Sequence, residues 1–102
     1  MKKFICYVGL NDQNTKKQEV STLDAFKILS NIACSTVGYG TITEAHGVYT
    51  HDDGTVIDEV TLRCEFSGCE LEKVKAFAIA AKNALNQESI GFEVVESNFS
   101  FV

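Results

Sequence analysis

Residues 41–66 read TITEAHGVYTHDDGTVIDEVTLRCEF, two alternating apolar–polar runs on either side of Asp53-Gly54. Asp-Gly between such runs is a strong short-range signal for a β-hairpin, because glycine takes the positive φ that a tight turn demands. In the second run Val56, Val60, Leu62, Cys64 and Phe66 share one face, interrupted by Asp58, and Ile57, Glu59, Thr61, Arg63 and Glu65 share the other. A two-residue turn at Asp53-Gly54 predicts Glu44 opposite Arg63, His46 opposite Thr61 and Val48 opposite Glu59. It also predicts Ala45, Gly47 and Tyr49 on the apolar face. A change of one residue in the turn would move every one of these side chains to the other face. His51 and Asp52 join Asp53 at the turn, where turn geometry accounts for them better than a metal site does.

Upstream, Ala25, Phe26, Leu29, Ile32 and Ala33 recur at helical spacing, with Ser21 placed to cap and Asp24 favoured by the helix dipole. A helix over about 22–35 follows. Before it, Phe4, Cys6, Val8 and Leu10 alternate with Ile5, Tyr7 and Gly9, the pattern of a strand, and the polar stretch NDQNTKKQE (11–19) links the two. Gly38 and Gly40 close the helical unit. With no lysine or following helix beside them, they do not form a phosphate-cradling loop.

Downstream, Ser67-Gly68-Cys69-Glu70 matches a capping box, and a helix over about 69–86 buries Leu71, Val74, Phe77, Ala78, Ala81 and Leu85. Ile90, Phe92 and Val94 then alternate, and the phase slips at Val95 before Phe99 and Phe101, which predicts a bulge.

The order β-α-β-β-α-β over 102 residues is that of one α+β, ferredoxin-like domain covering residues 1–102, a four-stranded antiparallel sheet with two helices on one face. The uncovered face would expose Ile42, Val48 and Ile57, so a homodimer or larger assembly is expected.

The net charge of −5 argues against nucleic acid and against an anionic membrane as partners. Cys6, Cys34, Cys64 and Cys69 have neither C-x-x-C nor zinc spacing and read as free thiols in a reducing compartment. The apolar run of the N-terminus stops at Asn11, too short for a signal peptide, so a cytoplasmic location is expected. No pattern calls for a cofactor or a metal.

The segment LNQES (85–89) places four polar residues between an apolar helix and an apolar strand. Asn86 or Gln87 can satisfy the last helix carbonyls or take a left-handed conformation. Glu88 is unfavourable near a helix C-terminus and calls for a partner such as Arg63 or a lysine.

The pieces YVGL (7–10), Gly40-Thr41, EAHGVY (44–49), DDGTVIDE (52–59) and LNQES (85–89) resemble an uncharacterised bacterial family of small domains of unknown function. Its strands and turns carry Phe-Gly-Leu, Gly-x-Thr, Ala-x-Gly and Gln-Glu-Ser-Val in the same order. The resemblance implies the same fold and a defined structural corner at LNQES. Members are often exported, whereas this chain lacks a convincing signal. In size and acidity alone the chain also resembles small phage counter-defence proteins, which inhibit defence proteins or sequester nucleotide signals.

Three functions follow. The favoured one is a non-catalytic, oligomeric binder of a small anionic or nucleotide-like ligand, held by Arg63, His46, Tyr49, Asn86, Gln87, Glu88 and Ser89. Arg63, the chain's one arginine, would hold the anionic group. Its structural alternative is a cross-strand ion pair with Glu44, worth less than about 1 kcal/mol if exposed. The second function is an acidic inhibitor of a basic protein partner. The third is a small oligomeric enzyme, with His46 and Glu44 in proton transfer. No serine or cysteine has a visible base, so a nucleophilic mechanism is not supported.

Overall fold

Phe4, Cys6, Val8 and Leu10 all point to one side of the first strand, and all four are buried. The computed structural model describes residues 1–102, in which that strand is β1 (Lys2–Gly9). It is followed by α1 (Thr22–Thr36), β2 (Thr41–Thr50), β3 (Val56–Ser67), α2 (Leu71–Ala84) and β4 (Gly91–Glu96). The sheet order is β2-β3-β1-β4, and every neighbouring pair is antiparallel. This is the expected ferredoxin-like βαββαβ architecture.

Both helices lie on the face carrying Phe4, Cys6, Val8, Leu62, Cys64 and Phe66. Against it they pack Ala25, Leu29 and Ala33 from α1 and Val74, Phe77 and Ala81 from α2. The Phe66 and Phe77 rings meet edge-on at 4.8 Å, a favourable geometry for two ring quadrupoles. Ser21 caps α1 by accepting from the Asp24 N–H at 3.1 Å. The capping box expected for α2 does not form: Glu70 is its N-cap and makes no side-chain cap bond. Gly68 takes φ +69, so the turn out of β3 runs on past Ser67 before the helix begins.

The other face is open. There Ile5, flanked across the sheet by Glu65 and Glu93, is only 2% exposed. Lys3 pairs with Glu65 at 3.0 Å, and the Arg63 guanidinium lies 3.6 Å from the same carboxylate. Tyr7 donates to Glu93 at 2.9 Å. β4 pairs with β1 in unbroken register from Gly91 to Glu96, without the expected bulge. Phe99 and Phe101 lie beyond the strand and stack edge-on on each other, so they do not continue its phase.

The hairpin register differs from the two-residue-turn expectation by one residue. Thr50 pairs with Val56, the His51 N–H donates to the Thr55 carbonyl at 2.8 Å, and the Gly54 N–H donates to the His51 carbonyl at 2.9 Å. With Gly54 at φ +87, this is a three-residue loop, a type I turn closed by one left-handed residue. Arg63 is therefore opposite Thr43, and Glu44 is opposite Leu62. Ala45, Gly47 and Tyr49 face the open side with Thr61, Glu59 and Ile57. Glu44, His46 and Val48 face the helix side, and Ile42 packs against the core there. β1 pairs with β3 only as far as Gly9↔Thr61, while β2 and β3 continue to Thr50↔Val56. The end of the hairpin thus projects as a two-stranded arm. No helix is long and apolar enough to cross a membrane.

Candidate functional site

Three segments converge at the end of the sheet from which the arm projects. After β1 the Leu10 N–H bonds the Val60 carbonyl at 2.9 Å, and the chain turns through a tight loop closed by an Asn11↔Gln18 bridge. The Asp12 N–H bonds the Lys17 carbonyl at 2.8 Å, and the Lys16 N–H bonds the Asp12 carbonyl at 2.9 Å. One Asp12 carboxylate oxygen accepts from the N–H groups of Asn14 at 2.8 Å and Thr15 at 3.1 Å. This side chain mimics a backbone turn, which is why aspartate suits the position.

The LNQES corner is the second segment. The Gln87 N–H returns to the Lys82 carbonyl at 2.9 Å and the Asn86 N–H to Asn83 at 3.4 Å, with Asn86 at φ +49. This is a Schellman closure of α2, with asparagine in the left-handed position. The Asn86 amide then donates to Asp12 at 2.9 Å and accepts from the Gln13 amide at 2.8 Å, and the Gln13 N–H donates to the Asn86 carbonyl at 3.0 Å. Gln87, 8% exposed, donates its amide to the Asn11 carbonyl at 2.8 Å. The polar run is thus a brace between the end of α2 and the loop after β1. The Asn86 amide first, then the Thr15 and Asn14 N–H groups, hold the Asp12 carboxyl below its ordinary range.

The arm is the third segment. Its open side turns Tyr49, Ile57 and Glu59 toward the loop and the corner, enclosing a cleft of about 370 Å³. Glu59 accepts from the Asn11 N–H at 3.1 Å and lies over Gly9, where an added Cβ would come within 2.6 Å of its carboxylate. The absence of a side chain at Gly9 is what lets the carboxylate lie flat on the sheet. The His51 ring meets the Tyr49 ring edge-on at 5.4 Å. Asp12, Glu59 and Glu88 set three carboxylates against one ammonium, that of Lys16, with Ser89 and Gln13 adding neutral polar groups. Such a lining suits a polar ligand carrying positive charge and a flat group to lay on Tyr49. No three His, Cys, Asp or Glu side chains cluster closely enough to hold a metal ion.

Of the residues singled out in the sequence, Tyr49, Gln87, Glu88 and Ser89 line this cleft, and Asn86 braces it from behind. Arg63 shares the open face but does not line the cleft; it lies between Thr43 and Tyr7, beside Glu65. Glu44 and His46 are on the opposite face. The His46 ring lies 3.6 Å from Asp58, both well exposed, and Glu44 borders an apolar groove with Leu23 and Phe26 of α1. The shifted register thus separates the His46/Glu44 pair from Arg63, and Tyr49, an odd number of residues along the same strand, lies on the face opposite that pair in either register. Asn11, Asp12, Lys16 and Glu59 were not singled out. Asp12 with Asn14 and Thr15 carried the available signal, the composition of an Asx turn inside a stretch read as loop.

No protein-family model matches the chain, and no curated protein matches its sequence. The resemblance to the uncharacterised bacterial family therefore gains no support from a family model. Solved structures do match. A phage SAM lyase in complex with S-methyl-5'-thioadenosine superposes with a TM-score of 0.69 at 22% identity, over 93% of this chain and 80% of that one. A phage SAM lyase in the apo state gives 0.68 at 21% identity, over 92% and 78%. CutA from Synechococcus elongatus gives 0.60 at 13% identity, over 94% and 75%. At these identities the likeness is one of fold.

Proposed function

We propose that this chain binds a small adenosyl compound carrying positive charge, of the S-adenosylmethionine class, in the cleft between loop 11–16, the hairpin arm and the 86–89 corner. The observation that carries this reading is the excess of carboxylate beside the exposed Tyr49 ring in a cleft of ligand size. An ammonium or sulfonium centre gains from Asp12, Glu59 and Glu88, and the Tyr49 face adds a stacking surface. The same charge disfavours phosphorylated nucleotides. This narrows the nucleotide-like ligand expected from the sequence to a nucleoside without phosphate, and leaves Arg63 outside the ligand set. The phage lyase that shares the fold holds a nucleoside thioether of this chemical family, which supports the choice of class.

A second copy of the chain is the proposed cover for the arm, whose Val48 and Val56 are 68% and 65% exposed. Two strands alone make a marginal structure in water, so such apolar residues favour an assembly. Lyase chemistry is the second reading, favoured by the fold shared with a lyase.

Calorimetric titration with S-adenosylmethionine tests the proposal. Saturable binding is expected, weakened about tenfold by Glu59→Gln, which removes one charge and keeps the shape. Binding that is absent, or indifferent to Glu59→Gln, refutes it. Release of methylthioadenosine during the titration, followed by chromatography, separates turnover from simple binding.

A further inference from the structure

Five residues of this chain take positive φ: Gly38, Gly54, Gly68, Asn86 and Lys16. Three are glycine, which has no Cβ to clash, and the fourth is asparagine, the side chain that best tolerates the left-handed region. Lys16, at φ +63, is the exception. Its loop is closed much like the hairpin turn at 51–55, where the left-handed position is Gly54. A long side chain at such a position is strained where glycine or asparagine would relieve it, and residues held in this way concentrate at functional sites.

Lys16 is also the one lysine or arginine lining the carboxylate-rich cleft, and it makes no ion pair within 4.0 Å. Its ammonium is thus uncommitted, on a loop pinned by Asn86 and Gln87.

We propose that Lys16 is the specificity-determining residue for the anionic end of the ligand. On this view the cleft is built for a zwitterionic adenosyl amino acid, with the carboxylate on Lys16 and the cationic centre among Glu59, Glu88 and Tyr49. This rests on the adenosyl reading above and adds the requirement for a free carboxylate. A nucleoside thioether lacking the amino-acid moiety fits the same cleft without engaging Lys16.

The test compares S-adenosylmethionine, S-adenosylhomocysteine and methylthioadenosine on wild type, Lys16→Asn and Lys16→Arg by calorimetry. Lys16→Asn is expected to weaken both carboxylate-bearing compounds about tenfold and leave methylthioadenosine within about twofold, and Lys16→Arg to retain most of the binding. The same Lys16→Asn protein should melt about 2–5 °C higher, because asparagine accepts the left-handed backbone. Equal affinities for all three compounds in wild type and Lys16→Asn, or a parallel loss that includes methylthioadenosine, overturns the role of Lys16 while leaving the adenosyl reading standing. Wild type that binds none of the three overturns the adenosyl reading, and the assignment of Lys16 falls with it.

Discussion

Replacing Asn86 should loosen the whole end of the molecule that carries the cleft, because one side chain does two things there. Its backbone holds a left-handed turn at φ +49, and its amide ties loop 11–16 to the end of α2. In Asn86→Ala the left-handed conformation costs about 1 kcal/mol with a Cβ that has no compensating polar group. Loss of the part-buried bond with Gln13 costs about 1 kcal/mol more. The sum, about 2 kcal/mol, lowers the melting temperature by about 8–16 °C in a domain of this size. Asn86→Gly loses the bond but not the turn, so it should fall by about half as much. Urea and thermal unfolding of the two variants beside wild type measure both.

The dependence on pH is a further check. The carboxyl of Asp12 lies below its ordinary 3.8 in the folded protein, with Asn86 the first cause. A depressed carboxyl contributes stability that is present above its unfolded value and is lost as pH falls through the folded one. The gap between wild type and Asn86→Gly should therefore be constant above about pH 5 and narrow below about pH 3.8. If both variants melt within a degree of wild type, the brace carries no stability and the account of this corner is wrong.

Two further outcomes test the packing. A Cβ on Gly40 would come within 2.8 Å of the Phe66 ring, which is 1% exposed and has nowhere to move. Gly40→Ala should thus destabilise by about 1–3 kcal/mol in urea unfolding, and an unchanged midpoint would show that the ring yields. Burial pushes the Cys6 and Cys64 thiols up to about 12, whereas Cys34 is exposed and Cys69 half-buried. A thiol reagent at pH 8 should label Cys34 quickly, Cys69 more slowly, and Cys6 and Cys64 only in denaturant; rapid labelling of all four would contradict the packed core.

The element order, both helices and the core were legible in the sequence because they follow from local periodicity. Phe4, Cys6 and Val8 alternate, Leu29 and Ala33 recur at four, and burying those faces together leaves few arrangements. Ser21 as a cap and a left-handed closure at Asn86 or Gln87 were legible for the same reason, since each acts on backbone only a few residues away, and the structure puts the closure at Asn86. The face of β2 was not. Asp53-Gly54 announces a turn, but a two-residue and a three-residue loop carry the same letters. The difference moved Tyr49 to the open face and put Glu44 and His46 on the side away from Arg63. Nor could the sequence bring Asp12 to Asn86, or Glu59 to Asn11. Those contacts join loops far apart along the chain, and they exist only because packing of α2 and pairing of β1 with β3 place three chain turns at one end of the sheet. Local physics wrote the elements into the sequence; the cleft is a long-range product of their assembly, and only the tertiary structure decided it.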